Sequence, residues 1–197
     1  MSISVSPSVL IMIFVSALSG KMSVLAVPLL AAAAHELGHI ACAFVFSIPI
    51  KKLRLNLFGA LIETDQFNCS YKKEAILSLA GPLSNIICAL LVYAIANREL
   101  FVSSRIIQYF FVSSLYFAFI NLLPINSFDG GRFLSCLLLQ KLSPEDVGKT
   151  LMWLSVFFVF IIWCCSVYLL LKTGSSLSLF VFSGVLFSQI SSSDAYR

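Results

Sequence analysis

Apolar residues fall in six runs along the chain, at about 3–19, 24–48, 75–96, 106–124, 150–171 and 176–190. Each run approaches the roughly 20 residues that a helix needs to cross the hydrocarbon core of a bilayer. Polar and charged residues gather between the runs instead of alternating within them, so the pattern predicts helices that are apolar all round. Serines at 176, 178, 183 and 188 dilute the last run. Six spans is the expected count and five the alternative.

One segment has a different rhythm. Leu53-Arg54-Leu55-Asn56-Leu57-Phe58-Gly59-Ala60-Leu61-Ile62 alternates apolar and polar residues and then turns at Gly59. That pattern predicts a short β-hairpin between spans two and three. It can sit at the surface, or dip into the membrane if its edge is covered. Further along, Ser143-Pro144-Glu145-Asp146 supplies an N-cap, a proline for the first helical position and acids for the first turn. A helix should therefore begin at Pro144. With no internal repeat, the expectation is an all-α polytopic membrane protein, one domain over 1–197. Its core segment spans about 20–135, with accessory spans at about 150–190.

Composition sharpens this class. The chain is 59% hydrophobic and 11% charged, with a mean hydropathy of +0.98. A soluble domain cannot bury that much apolar surface, because over half of its accessible area still faces water. The net charge of +4 is small, and the Lys and Arg residues flank the apolar runs. A nucleic-acid partner is thereby excluded, and the cations read as topology determinants at the lipid surface. With the N-terminus inside, the cytoplasmic segments hold nine of the thirteen cations and the other side four. The chain is thus expected in the cell membrane, multi-pass, with both termini cytoplasmic. Six cysteines show no CxxC spacing and read as packing residues.

The second run carries chemistry. Ala31-Ala32-Ala33-Ala34-His35-Glu36-Leu37-Gly38-His39-Ile40 contains H-E-x-x-H. Residues four apart share a helix face, so His35 and His39 can converge on one metal ion with Glu36 beside it as a general base. These are the only two histidines in the chain. They occur inside an apolar run, where ionisable groups are costly and usually functional. The plainer possibility is a pair of polar residues satisfied by neighbouring helices.

A catalytic zinc needs a third protein ligand and an open position. Seven of the other acids lie in polar, solvated segments. Asp129 follows span four, in Asn121-Leu122-Leu123-Pro124-Ile125-Asn126-Ser127-Phe128-Asp129-Gly130-Gly131. Pro124 should end the helix and the two glycines permit sharp turns, so the carboxylate can swing inward. Asp129 is the best remaining ligand; an ordinary loop aspartate is the alternative.

H-E-L-G-H in the second run, followed by N-L-L-P-I-N-S-F-D-G-G near the end of the fourth, resembles the site-2 protease family of intramembrane metalloproteases. That family's pattern is H-E-x-x-H with a downstream N-x-x-P-x-x-x-x-D-G, and both halves are complete here. Ser78-Leu79-Ala80-Gly81-Pro82-Leu83-Ser84-Asn85 and the glycine-turned hairpin share the likeness, which covers about residues 20–135. The architecture is most similar to the short, six-span branch that processes a sporulation pro-sigma factor. No regulatory cystathionine-β-synthase-type domain and no PDZ domain is expected. The resemblance implies one Zn2+ ion on His35, His39 and Asp129, with Glu36 as general base. It further implies that Asn121 and Pro124 shape the substrate approach and that the hairpin around Gly59 pairs with an unwound substrate segment. The reaction implied is hydrolysis of a peptide bond in a transmembrane or membrane-associated regulatory protein, with a membrane regulator as a further candidate partner. Two other classes fit parts of the pattern. One is a non-proteolytic metal-binding protein or metal transporter using the same ligands. The other is a prenyl-protein-processing protease, whose third ligand would be a glutamate.

Overall fold

The computed structural model describes residues 2–5, 22–48, 50–56, 59–64, 70–96, 105–173 and 177–193. The chain divides into two compact units, Met1–Asn121 and Leu122–Arg197.

The first unit contains strand β1 (Ser2–Val5), helix α1 (Met22–Val45), strands β2 (Ile50–Asn56) and β3 (Gly59–Thr64), and helices α2 (Tyr71–Ala96) and α3 (Arg105–Asn121). The three helices pack on one another. On α1 the buried positions are Val27, Ala31, His35, His39 and Ala43, one every fourth residue. A spacing of four keeps all five on nearly one face. The same face that buries the small residues therefore also turns the imidazoles inward. Opposite it, α2 buries Ala75, Ser78, Pro82, Asn85 and Ala89. Small side chains let the two backbones approach closely. A Cβ added at Gly38 would lie 2.6 Å from the Ala80 carbonyl oxygen, and the Ser84 hydroxyl donates to the Ala34 carbonyl at 2.7 Å.

Helix α1 ends in a Schellman turn. Ser47 takes a left-handed φ of 53°, the Ile48 N–H donates to Ala43 O at 2.8 Å, and the Ser47 N–H donates to Phe44 O at 3.1 Å. The turn seats Ile48 on Ala43 and Leu77 in a small apolar cluster, the hydrophobic contact that accompanies this cap.

The three strands form one sheet in the order β1-β2-β3. β2 and β3 are antiparallel, pairing Leu53 with Ile62 and Asn56 with Gly59, with a register shift between Ile50 and Lys52. Gly59 opens β3, while the connecting residues 57–58 lie outside the described residues. β1 pairs parallel to β2, Ser2 with Lys52 through Val5 with Leu55. The first apolar run is thus corrected at its start: its first residues form a strand rather than the beginning of a membrane helix. Ser2-Ile3-Ser4-Val5 alternates with period two, and β2 offers an edge to complete its hydrogen bonds. The rest of that expected span, 6–19, lies outside the described residues.

The second unit begins with a short loop and continues as α4 (Asp129–Leu138), α5 (Pro144–Thr173) and α6 (Leu177–Ser193). α5 starts where the capping signal places it. The Ser143 hydroxyl oxygen accepts the Asp146 N–H at 3.2 Å and its O–H donates to the Asp146 carboxylate at 2.7 Å. α5 buries Val147, Leu151, Ser155 and Val159 along one stripe, and α6 buries Ser183 and Leu186. Ser166 and Ser183 meet at 3.5 Å, each also donating to a carbonyl of its own helix.

Three described helices are long and apolar enough to cross a membrane: Ala26–Val45, Tyr71–Ile95 and Pro144–Thr173. α3 and α6 have 17 residues each, or about 25 Å against a hydrocarbon core of roughly 30 Å. Many large apolar side chains face outward, Phe44 at 86% exposure and Trp153 at 70% among them. Such a surface suits lipid and would be unstable in water.

Candidate metal centre

His35 and His39 sit in the middle of α1 and are 5% and 7% exposed. Their rings meet edge to face at a centroid distance of 4.9 Å, and their Nε2 atoms lie 3.2 Å apart. Two nitrogens bound tetrahedrally to one zinc ion at about 2.0–2.1 Å are separated by about 3.3–3.4 Å. The pair therefore has the spacing of two ligands of a single ion.

The far sides of the rings are held from α2. His39 Nδ1 lies 2.8 Å from the Leu77 carbonyl oxygen, which can only accept, so the Nδ1 proton donates to it. This fixes the tautomer in which His39 Nε2 carries a lone pair. His35 Nδ1 lies 3.3 Å from the side-chain amide of Asn85, a residue with no solvent exposure. Room in front of the rings comes from Gly81. A Cβ there would lie 2.6 Å from His35 Nε2 and overlap His39 Nε2. Glycine at this point leaves a cradle beside both nitrogens that any other residue would fill, and that cradle fits a metal ion.

Glu36 is partly buried, one position along from His35 on α1. In the second unit, Asp129 is the first residue of α4, after the extended Phe128. The helix before it stops at Asn121, as Pro124 dictates. The intervening loop is held tightly. Ile125 is fully buried, its N–H donates to Leu123 O at 2.8 Å, and the Phe128 N–H donates to Ile125 O at 2.9 Å. The Asn126 N–H donates to the buried Ser155 hydroxyl at 2.9 Å. A Cβ at Gly130 would lie 2.6 Å from Leu123 O, and one at Gly131 would overlap Ile125 O. Both glycines of the Asp-Gly-Gly run therefore serve close backbone packing, which anchors the turn that carries Asp129. Asn121 ends α3 with its Nδ2 donating to Phe117 O at 3.0 Å.

Leu77, Gly81 and Asn85 have no assigned role in the sequence reading. A signal for Asn85 was present: an asparagine within an apolar helix is costly unless paired. Its partner, 50 residues away, could not be named from the sequence.

The sequence profile of Peptidase family M50 matches residues 23–103 and 99–162. The chain is 31% identical over 186 residues to Stage IV sporulation protein FB of Bacillus subtilis (strain 168). That alignment covers 94% of this chain and 64% of the relative, so the chain spans somewhat under two thirds of its length. In fold, the chain is similar to the Site-2 Protease from Methanocaldococcus jannaschii, with a TM-score of 0.69 and 19% identity. The match covers 93% of this chain and 84% of that one.

Proposed function

The chain belongs to Peptidase family M50, and on that footing we propose that it is an intramembrane zinc endopeptidase that cuts a transmembrane or membrane-associated regulatory protein. The observation that carries this reading is the pair of buried imidazoles on α1, with Nε2 atoms 3.2 Å apart over the cradle left by Gly81. His35, His39 and Asp129 are the proposed ligands of one Zn2+ ion.

A bound zinc ion supplies Lewis acidity and brings the pKa of water down to about 7. The chain's own residues do the rest. Glu36 takes a proton from the attacking water and delivers it to the departing amine, the work of a general base turned general acid. Lipid and the packed helices keep bulk water from the reacting bond. Asn121 and Pro124 are proposed to border the substrate's approach. The hairpin that begins β3 at Gly59 is proposed to receive an unwound substrate segment by strand addition. What supports this last role is the sheet order, in which β3 is terminal.

Both termini are proposed to be cytoplasmic. For the N-terminus, the support is the pairing of β1 with β2, the strand whose Lys51, Lys52 and Arg54 the positive-inside rule assigns to the cytoplasm. A further membrane protein that regulates access is the remaining proposed partner. The test is Glu36→Gln in cells, read by comparative membrane proteomics. Zinc content should equal that of the wild type, while a membrane-anchored protein accumulates uncleaved and turnover falls at least 100-fold. Unchanged processing would remove Glu36 from the chemistry. Metal transport instead of hydrolysis would show as zinc uptake by proteoliposomes that persists in the variant.

A further inference from the structure

The tautomer of His35 is open in a way that of His39 is not. A neutral imidazole has one N–H donor and one acceptor nitrogen. His39 Nε2 is the acceptor, because its Nδ1 proton is committed to Leu77 O. Two arrangements are then open to the His35–Asn85 pair. In the first, His35 Nε2–H donates across 3.2 Å to His39 Nε2, and His35 Nδ1 accepts from Asn85 Nδ2 at 3.3 Å. In the second, His35 Nε2 presents a lone pair and the proton sits on Nδ1, where it needs an acceptor. Only the second lets both Nε2 atoms bind one ion.

Asn85 is the group that can serve either arrangement. Its amide oxygen and nitrogen are nearly the same size, so turning the amide over exchanges donor for acceptor in the same space. With the nitrogen toward His35, the amide oxygen is buried and has no hydrogen-bond partner. A buried acceptor without a partner is costly, so the donor arrangement is disfavoured at that atom.

We propose that Asn85 is the positioning residue for His35. Its amide oxygen accepts the Nδ1 proton when His35 gives Nε2 to a metal ion, and its amide nitrogen donates to Nδ1 in the other tautomer. Leucine fills the same volume and serves neither. Aspartate accepts but cannot donate, so it serves only the metal-holding tautomer. The inference rests on the zinc reading above and goes beyond it by assigning the residue that sets the tautomer.

The experiment uses the full chain in detergent micelles, with zinc as the probe. Because the chain has two histidines, 15N-histidine labelling yields two imidazole patterns. In the zinc-loaded wild type, both rings should be protonated at Nδ1. Zinc retention against a competing chelator should fall about 10–100-fold in Asn85→Leu and stay near the wild-type value in Asn85→Asp. Protonation of His35 at Nε2 in the zinc-loaded wild type would overturn the proposal. So would an Asn85→Leu variant that holds zinc like the wild type, or an Asn85→Asp variant that loses it as fully as Asn85→Leu. If Asn85→Leu does not fold, the wild-type spectrum and the aspartate variant still decide. A wild-type protein that takes up no zinc would remove the metal reading itself, a result distinct from any of these.

Discussion

At the scale of single residues, the centre depends on what is missing as much as on what is present. Gly81 is buried in the middle of α2 and faces both ring nitrogens. Alanine is the better helix former by about 0.5–1 kcal/mol, so propensity alone would not unwind α2 in Gly81→Ala. Its methyl would nevertheless overlap the two ring nitrogens and push them from the spacing that suits one ion. Zinc retention should therefore drop at least tenfold, measured by metal analysis after chelator challenge, and crowding of the held rings should lower the thermal unfolding temperature. Retention equal to the wild type would mean that the cradle is not the metal's place. Glu36, by contrast, is proposed to transfer a proton and not to hold the ion, so the two substitutions would separate binding from chemistry.

At the scale of elements, α1 and α2 act as one part. Gly38 touches the Ala80 carbonyl and the Ser84 side chain, and Ser84 returns a hydrogen bond to Ala34. Each imidazole is steadied by α2, so any change in helix separation moves the rings off their partners. Gly38→Leu should force the helices apart, destabilise the protein by about 1–3 kcal/mol and weaken zinc retention along with stability. Thermal melting in detergent, followed in parallel with zinc release, checks this. Loss of stability with full zinc retention would show that the helix contact does not govern ring placement. In the second unit the corresponding device is the loop before α4. The Ser155 hydroxyl and the two close-packed glycines leave the turn at Asp129 little freedom.

At the scale of the whole molecule, the outward surface decides where the chain can exist. Phe160 lies near the middle of the 30-residue α5 and is 59% exposed. A lysine at the centre of a membrane-crossing helix costs about 2.5–3.5 kcal/mol in insertion. Phe160→Lys should therefore reduce membrane integration in a fractionation assay. Lys141→Glu, at an exposed position before α5, should not. Equal integration of both variants would argue that this face of α5 is shielded from lipid.

The amino-acid sequence by itself determined whatever depends on short range. The four-residue spacing places both imidazoles on one face of α1, Pro124 stops α3 at Asn121, and Ser143 caps α5 at Pro144. The apolar runs assign the chain to the bilayer because a run's length and hydropathy require no knowledge of its neighbours. Tertiary structure decided what depends on residues far apart in the chain. Ser2–Val5 reads as the start of an apolar helix until β2 supplies an edge some fifty positions later. Leu77 and Asn85 stand 38 and 50 positions from the histidines they orient. A hydrogen bond at that separation is set by how two helices pack, and periodicity within either helix carries no record of its partner.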